Sequence, residues 1–184
     1  MVVSERKHSA GYMNFDNHTN FGDDEGMNCM GSATYYLKAK FRSHEDLKAV
    51  FPDIKQFLIE GARAEDWWRQ HRSMENRGTR KEFWDQFKIE FPRIYEFLQY
   101  TGHADGDCNN DLANVMNFGS DWGIDQSFGN WYPDGVPEQN EFRYEAYVWH
   151  FADWDHLCNY LKHKFGAYDA AYVSDEYFDP CGLL

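Results

Sequence analysis

Tyr36-Leu37-Lys38-Ala39-Lys40-Phe41-Arg42-Ser43-His44-Glu45-Asp46-Leu47 is matched in pattern, near the other end of the chain, by Ala146-Tyr147-Val148-Trp149-His150-Phe151-Ala152-Asp153-Trp154-Asp155-His156-Leu157. Each begins with apolar residues alternating with polar or aromatic ones, the period of a half-buried strand. Each then places a short polar residue, Ser43 or Asp153, where a helix starts, because such a side chain accepts one of the backbone N–H groups that the first turn leaves orphaned. Phe41 corresponds to Phe151 and Leu47 to Leu157. Both stretches therefore read as a strand running straight into a capped helix.

A doubled strand–helix unit is the content of two split βαβ halves, so the expected fold class is α+β: a ferredoxin-like antiparallel sheet with helices on one face. Working outward, Ala33–Phe41 is the first strand, and a helix follows Ser43 with Leu47, Val50 and Phe51 at helical spacing. Pro52 is expected to restart or kink that helix over Pro52–Glu60, before Gly61. Arg63–His71 reads as a further helical stretch, and Arg80–Tyr100 as another, interrupted at Pro92. These make a helical insertion over about 61–100. Phe51-Pro52-x-Ile54-x-x-Phe57-Leu58 is echoed by Phe91-Pro92-x-Ile94-x-x-Phe97-Leu98, and two copies are too few for a solenoid. Tyr100–Asp111 reads as a polar loop, and Phe118–Asn140 as Gly, Asp and aromatic residues holding a strand or hairpin. Glu141–Phe151 is expected to be a strand, Trp154–Phe165 a helix ended by Gly166, and Ala167–Glu176 the last strand. Residues 1–32 read as an N-terminal segment, mobile or docked, and 33–184 as one domain.

The chain has 184 residues and a formal charge of −13. Residues 1–93 hold 15 basic and 15 acidic side chains, whereas the remaining 91 hold 16 acids against Arg143, Lys162 and Lys164. The second half therefore carries the whole net charge, and it repels phosphate. A one-signed field serves solubility first, and it also speeds encounter with an oppositely charged partner. Aromatics make up 18%, too many for a disordered acidic chain. The longest apolar runs are four or five residues, far short of a membrane span, so a cytoplasmic protein without membrane contact is expected. Cys29, Cys108, Cys158 and Cys181 are widely separated and read as reduced thiols.

Asn117-Phe118-Gly119-Ser120-Asp121-Trp122 resembles the Asn-Trp-Gly-Thr-Lys-Trp turn of the YubB-type ferredoxin-like family of small plasmid and phage proteins. A strand, a short aromatic crossover from Trp149 to Trp154, a helix and a final acidic strand follow it here as in that family. The resemblance covers the C-terminal 70 or so residues. Asp121 stands where that family has Lys, and Phe118 where it has Trp. The resemblance implies the fold and a mobile genetic element as the setting, and it implies no activity.

His150, His156 and His163 lie near Cys158, Asp153 and Asp155, yet no HxxxH or CxxC occurs, and a metal needs three or four converging ligands. The Asp105/Asp107 and Asp121/Asp125 pairs lack the Gly and closing Glu of a calcium loop. Cys158, between apolar neighbours mid-helix, reads as a small core residue. No catalytic constellation, metal or cofactor is expected. Aromatics set among charges have the composition of a protein-binding patch. The candidate partner-binding residues are Asp105, Asp107, Asp111, Asp121, Trp122, Asp125, Trp131, Tyr132, Asp134 and Glu138. Their expected partner is a protein with a basic surface, such as a nucleic-acid-binding defence nuclease inhibited in the anti-CRISPR manner. The alternative is a nucleic-acid-binding module using Arg63, Arg69, Arg72, Arg77, Arg80 and Lys81, a segment interleaved with Trp67 and Trp68. A metal-dependent hydrolase using the histidines ranks last.

Overall fold

The computed structural model describes residues 32–72, 78–107, 110–119, 124, 128–129, 131–132, 134–149 and 152–176. Among them the elements run β1 (Ser32–Lys40), α1 (His44–His71), α2 (Arg80–Glu90), α3 (Pro92–Thr101), α4 (Asn110–Val115), β2 (Glu141–Trp149), α5 (Trp154–Phe165) and β3 (Asp169–Glu176). The fold is α+β. Its three strands form one antiparallel sheet in the order β2-β1-β3, with Leu37 opposite Tyr144 on one side and opposite Tyr172 on the other. The fourth strand that a ferredoxin-like sheet would require is not among the described residues.

Period-two patterning sets the faces. Ala33, Tyr35, Leu37 and Ala39 of β1, with Phe142, Tyr144, Ala146 and Val148 of β2, point to the buried side. There α1 contributes Leu47, Phe51 and Ile54, and α5 contributes Trp154, Leu157, Cys158 and Leu161. The Trp154 ring lies 5.1 Å from Tyr35 and 5.3 Å from Tyr144, so one aromatic bridges two strands. The opposite face carries Lys38, Lys40, Tyr147, Ala171 and Val173, all exposed.

Both expected caps form. Ser43 accepts from Asp46 N–H at 3.0 Å while Asp46 accepts from Ser43 N–H at 3.1 Å, and Asp153 accepts from Asp155 N–H at 3.1 Å. Gly166, at φ 78°, ends α5 in the left-handed conformation. The expected restart at Pro52 and end before Gly61 are corrected: α1 is a single 28-residue helix that runs through both. Pro52 and Lys48, whose carbonyl loses its helical donor, are both exposed, so water can satisfy that carbonyl. Gly61 lies where Phe118 packs on the helix, and a Cβ there would lie 2.7 Å from the ring. The helical stretch expected at Arg63–His71 is thus the end of α1, and α2 and α3 follow it as separate helices. Trp67 meets Phe83, Phe87 and Phe91, and α3 reaches α5 through Phe97 against Tyr160 at 5.0 Å. The polar stretch after Tyr100 also holds a short helix, α4, that lacks a sequence-readable stripe. The N-terminal segment lies outside the described residues, apart from Ser32 in β1.

Candidate functional site

The acidic residues expected to meet a partner divide into three groups. The first is used internally. Asp105 accepts from the Tyr95 hydroxyl at 2.7 Å and pairs with Lys88 at 3.0 Å, and Asp107 pairs with Arg80. The Tyr95 hydrogen bond, followed by Lys88, holds the Asp105 carboxyl below its usual range. Trp84 Nε1 donates to the Gly106 carbonyl at 3.0 Å. Loop 102–107 is thus fastened to α2 and α3, and the charges of Asp105 and Asp107 are met from within the chain.

The second group surrounds β2. Tyr132 is corrected from surface anchor to core residue: it is 6% exposed and packs 4.8 Å from Phe51. Its hydroxyl accepts from Arg143 N–H and donates to the Arg143 carbonyl at 3.1 Å, so it occupies the edge of β2 where another strand would pair. Burial pushes its phenol upward. Trp131 is 37% exposed, with the Arg143 guanidinium 5.0 Å from its ring, and Arg143 also pairs with Glu141 at 2.6 Å. Asp134 and Glu138 are exposed in the loop before β2, beside Val136 at 47%, and neither makes an ion pair among the described residues. The His44 ring donates to the Pro137 carbonyl at 2.6 Å and so ties this loop to the start of α1. The third group is not placed: Asp121, Trp122 and Asp125 lie outside the described residues, and Asp111 belongs to α4 with its side chain outside them.

The basic segment does not make one face. Arg69 donates to Glu65 at 2.6 Å, Arg80 pairs with Asp107, and Lys81 pairs with Asp85. Arg72 lies over the Trp68 ring at 5.4 Å. Arg63 and Arg72 are nine residues apart, about two and a half helical turns, so they project from opposite sides of α1. Arg77 lies outside the described residues.

Sequence reasoning missed two carboxylates that organise the interior. Glu60 of α1 accepts from Arg93 N–H at 2.7 Å and Ile94 N–H at 3.4 Å, capping α3 from a neighbouring helix, while its second oxygen pairs with the Arg93 guanidinium at 3.1 Å. Glu65, 5% exposed, accepts from Arg69 on one oxygen and from Phe118 N–H at 2.8 Å and Gly119 N–H at 3.2 Å on the other. Burial raises its pKa, and the Arg69 and backbone hydrogen bonds oppose that rise. The signal was legible for Glu65, which stands seven residues after Leu58 on the apolar stripe of α1. The same turn is held by Tyr144, whose hydroxyl donates to the Phe118 carbonyl, and by Trp154 Nε1, which donates to the Asn117 carbonyl at 2.9 Å. Among the described residues, the buried Asn117 amide and Trp68 Nε1 meet no hydrogen-bond partner.

His156 sits 3.3 Å from Asp153, His103 lies 5.4 Å from His156 ring to ring, and His163 stacks on Tyr100. Among the described residues no three His, Cys, Asp or Glu side chains converge as a metal site. Cys158 is buried, and that burial pushes its thiol up to about 12, so it is protonated near neutral pH. Among the described residues no helix is long and apolar enough to cross a membrane. No family model matches the chain, and no curated protein and no solved structure matches it either.

Proposed function

We propose that this chain is a non-enzymatic, acidic binding protein of a phage or other mobile element, built on a ferredoxin-like sheet, that docks on a basic surface of a partner protein. The observation that carries this reading is the 131–141 region. Trp131 and Val136 are exposed there beside Asp134 and Glu138, two carboxylates that no described cation neutralises. Apolar anchors supply desolvated contact, and unpaired carboxylates next to them complement Lys and Arg on the other side. A surface that binds nucleic acid has that chemistry, which makes a host nucleic-acid-guided defence nuclease a fitting target and inhibition by phosphate mimicry a fitting consequence. The setting rests on the resemblance at Asn117–Trp122. The internal pairing of Asp105 and Asp107 moves the contact surface away from loop 102–107 and toward the loop before β2.

The test mixes the purified full chain with candidate nucleases at rising salt. Complex formation at low ionic strength that weakens with salt is the expected result. A D134K/E138K double variant is expected to lose at least about tenfold in affinity. An undiminished complex, or none at low salt, overturns the reading. The nucleic-acid alternative draws less support, because Arg69, Arg80 and Lys81 are each paired with a carboxylate. A mobility shift that fades in an R69A/R72A variant would restore it.

A further inference from the structure

The two edges of the sheet are treated differently. Phe41 N–H bonds the Asn140 carbonyl at 2.8 Å, so alternate residues of β1 turn their backbone groups to β2, and Lys40, Lys38 and Tyr36 turn theirs to β3. It follows that Asp169, Ala171 and Val173 bond β1, whereas Ala170, Tyr172 and Ser174 direct three N–H and three C=O groups outward. At the opposite edge, Tyr132 takes both outward groups of Arg143, and Gly119 backs onto the Tyr147 carbonyl. Among the described residues, no hydrogen bond reaches the outward groups of Ala170, Tyr172 or Ser174. An unpaired edge of this length is a template for another strand.

We propose that the outer edge of β3 is a docking site for an extended basic segment of the partner, which adds to the sheet as a fourth strand. This rests on the reading of the protein as a binder of basic partners and specifies how one such segment is held. Charge selects the occupant. Asp169 is exposed at the start of β3, whose sequence ends in Asp175-Glu176, and the start of α5 brings Asp153 and Asp155 near Tyr172. Those two carboxylates are near enough to add to the burial that raises the Tyr172 phenol. Lys40 stands in register with Asp169, so the excess of negative charge on this side comes from Asp153 and Asp155 at the start of α5. A second copy of this chain fits poorly. Two-fold pairing of β3 centred on Tyr172 would set Asp169 across from Asp175 at both ends, and like charges directly opposite are destabilising. The matching ligand has Lys or Arg opposite Asp169 and Asp175 and β-branched apolar residues opposite Ala171 and Val173. Main-chain hydrogen bonds then give affinity and alternate side chains give specificity.

The experiment titrates the isotope-labelled full chain with the synthetic peptide Lys-Thr-Val-Thr-Val-Thr-Lys. Saturable shifts at the Ala170, Tyr172 and Ser174 amides are expected, with weakening in salt and no binding of the Glu-ended analogue. S174P deletes one outward N–H on an edge strand, which accommodates Pro, and is expected to cost about tenfold in affinity with the melting temperature unchanged. Should S174P not fold, N-methylation of the peptide's central Thr makes the same test on the intact protein. Absent binding, shifts confined to the 131–141 loop, indifference to both blocks, or a dimer dissolved by S174P would each overturn the proposal. Loss of the nuclease complex in D134K/E138K but not in S174P would remove edge docking and leave the wider reading standing.

Discussion

Glu65 joins α1 to the Asn117–Gly119 turn, 53 and 54 residues further along the chain at its two backbone contacts. Its folded-state pKa is raised, chiefly by desolvation, so between about pH 4.5 and the folded value the native protein holds a proton that the unfolded chain has released. Stability from this group is therefore full below about pH 4.5 and is lost as pH rises through the folded pKa. Glu65→Gln removes that dependence while keeping an oxygen for Phe118 and Gly119. The stability of wild type relative to E65Q is expected to fall between pH 4.5 and pH 7.5, as read by urea unfolding at each pH, and a difference that grows with pH would refute the assignment. Glu65→Ala instead strands two backbone N–H groups in the interior and is expected to cost about 3 kcal/mol at any pH in that range. The sequence shows an acid on an apolar stripe. It does not show the donors, because they belong to a turn distant in the chain.

Two nearly identical phrases have different fates at the scale of the element. Phe51-Pro52 lies inside α1, whereas Phe91, at φ −132° and ψ 62°, separates α2 from α3 and leaves Pro92 in the first helical position. The text of the two repeats does not differ where it matters; their surroundings do. Glu60 reaches across to the Arg93 and Ile94 N–H groups, so the break before α3 has a cap, while Ser43 and Asp46 have already capped α1 upstream of Pro52. A Pro within a helix costs about 3 kcal/mol relative to Ala, and one at the first position costs almost nothing. Pro52→Ala is accordingly expected to stabilise by about 1–3 kcal/mol and Pro92→Ala to change stability by less than about 0.5 kcal/mol, both read from denaturant midpoints at constant m. Equal effects at the two sites would mean that α1 is broken at Pro52 after all. The strands and α5 were legible because period two and a cap–glycine frame are local signals. The continuity of α1 was not, since Gly61 reads locally as a helix end, and the Phe118 ring that leaves no room for a side chain there comes from far along the chain.

At the scale of the whole molecule, the division into a neutral half and an acidic half is a property of the chain and is partly undone by folding. Lys88 and Arg80 of α2 meet Asp105 and Asp107, and Lys164 of α5 meets Glu96 of α3 at 2.5 Å. Counting charges along the sequence could not show this, because the pairings depend on how the α2–α3 insertion seats against α1 and α5. It could show that the total is −13, and no internal pairing alters a total. Asp107, Asp105 and Glu96 each keep half or more of their side-chain surface in water, where an ion pair is worth about 0–1 kcal/mol. Self-repulsion of the excess carboxylates acts over the entire surface and opposes compactness. Salt screens both terms, and the larger one decides the sign. Raising ionic strength from about 0.01 M to about 0.15 M shrinks the Debye length from about 30 Å to about 8 Å, which suppresses long-range repulsion more than contacts at hydrogen-bond distance. The melting temperature is expected to rise by about 2–4 °C over that interval, measured by circular dichroism at neutral pH. A fall would mean that the ion pairs fastening the insertion outweigh the repulsion, and that Asp105 and Asp107 matter more to stability than their exposure implies.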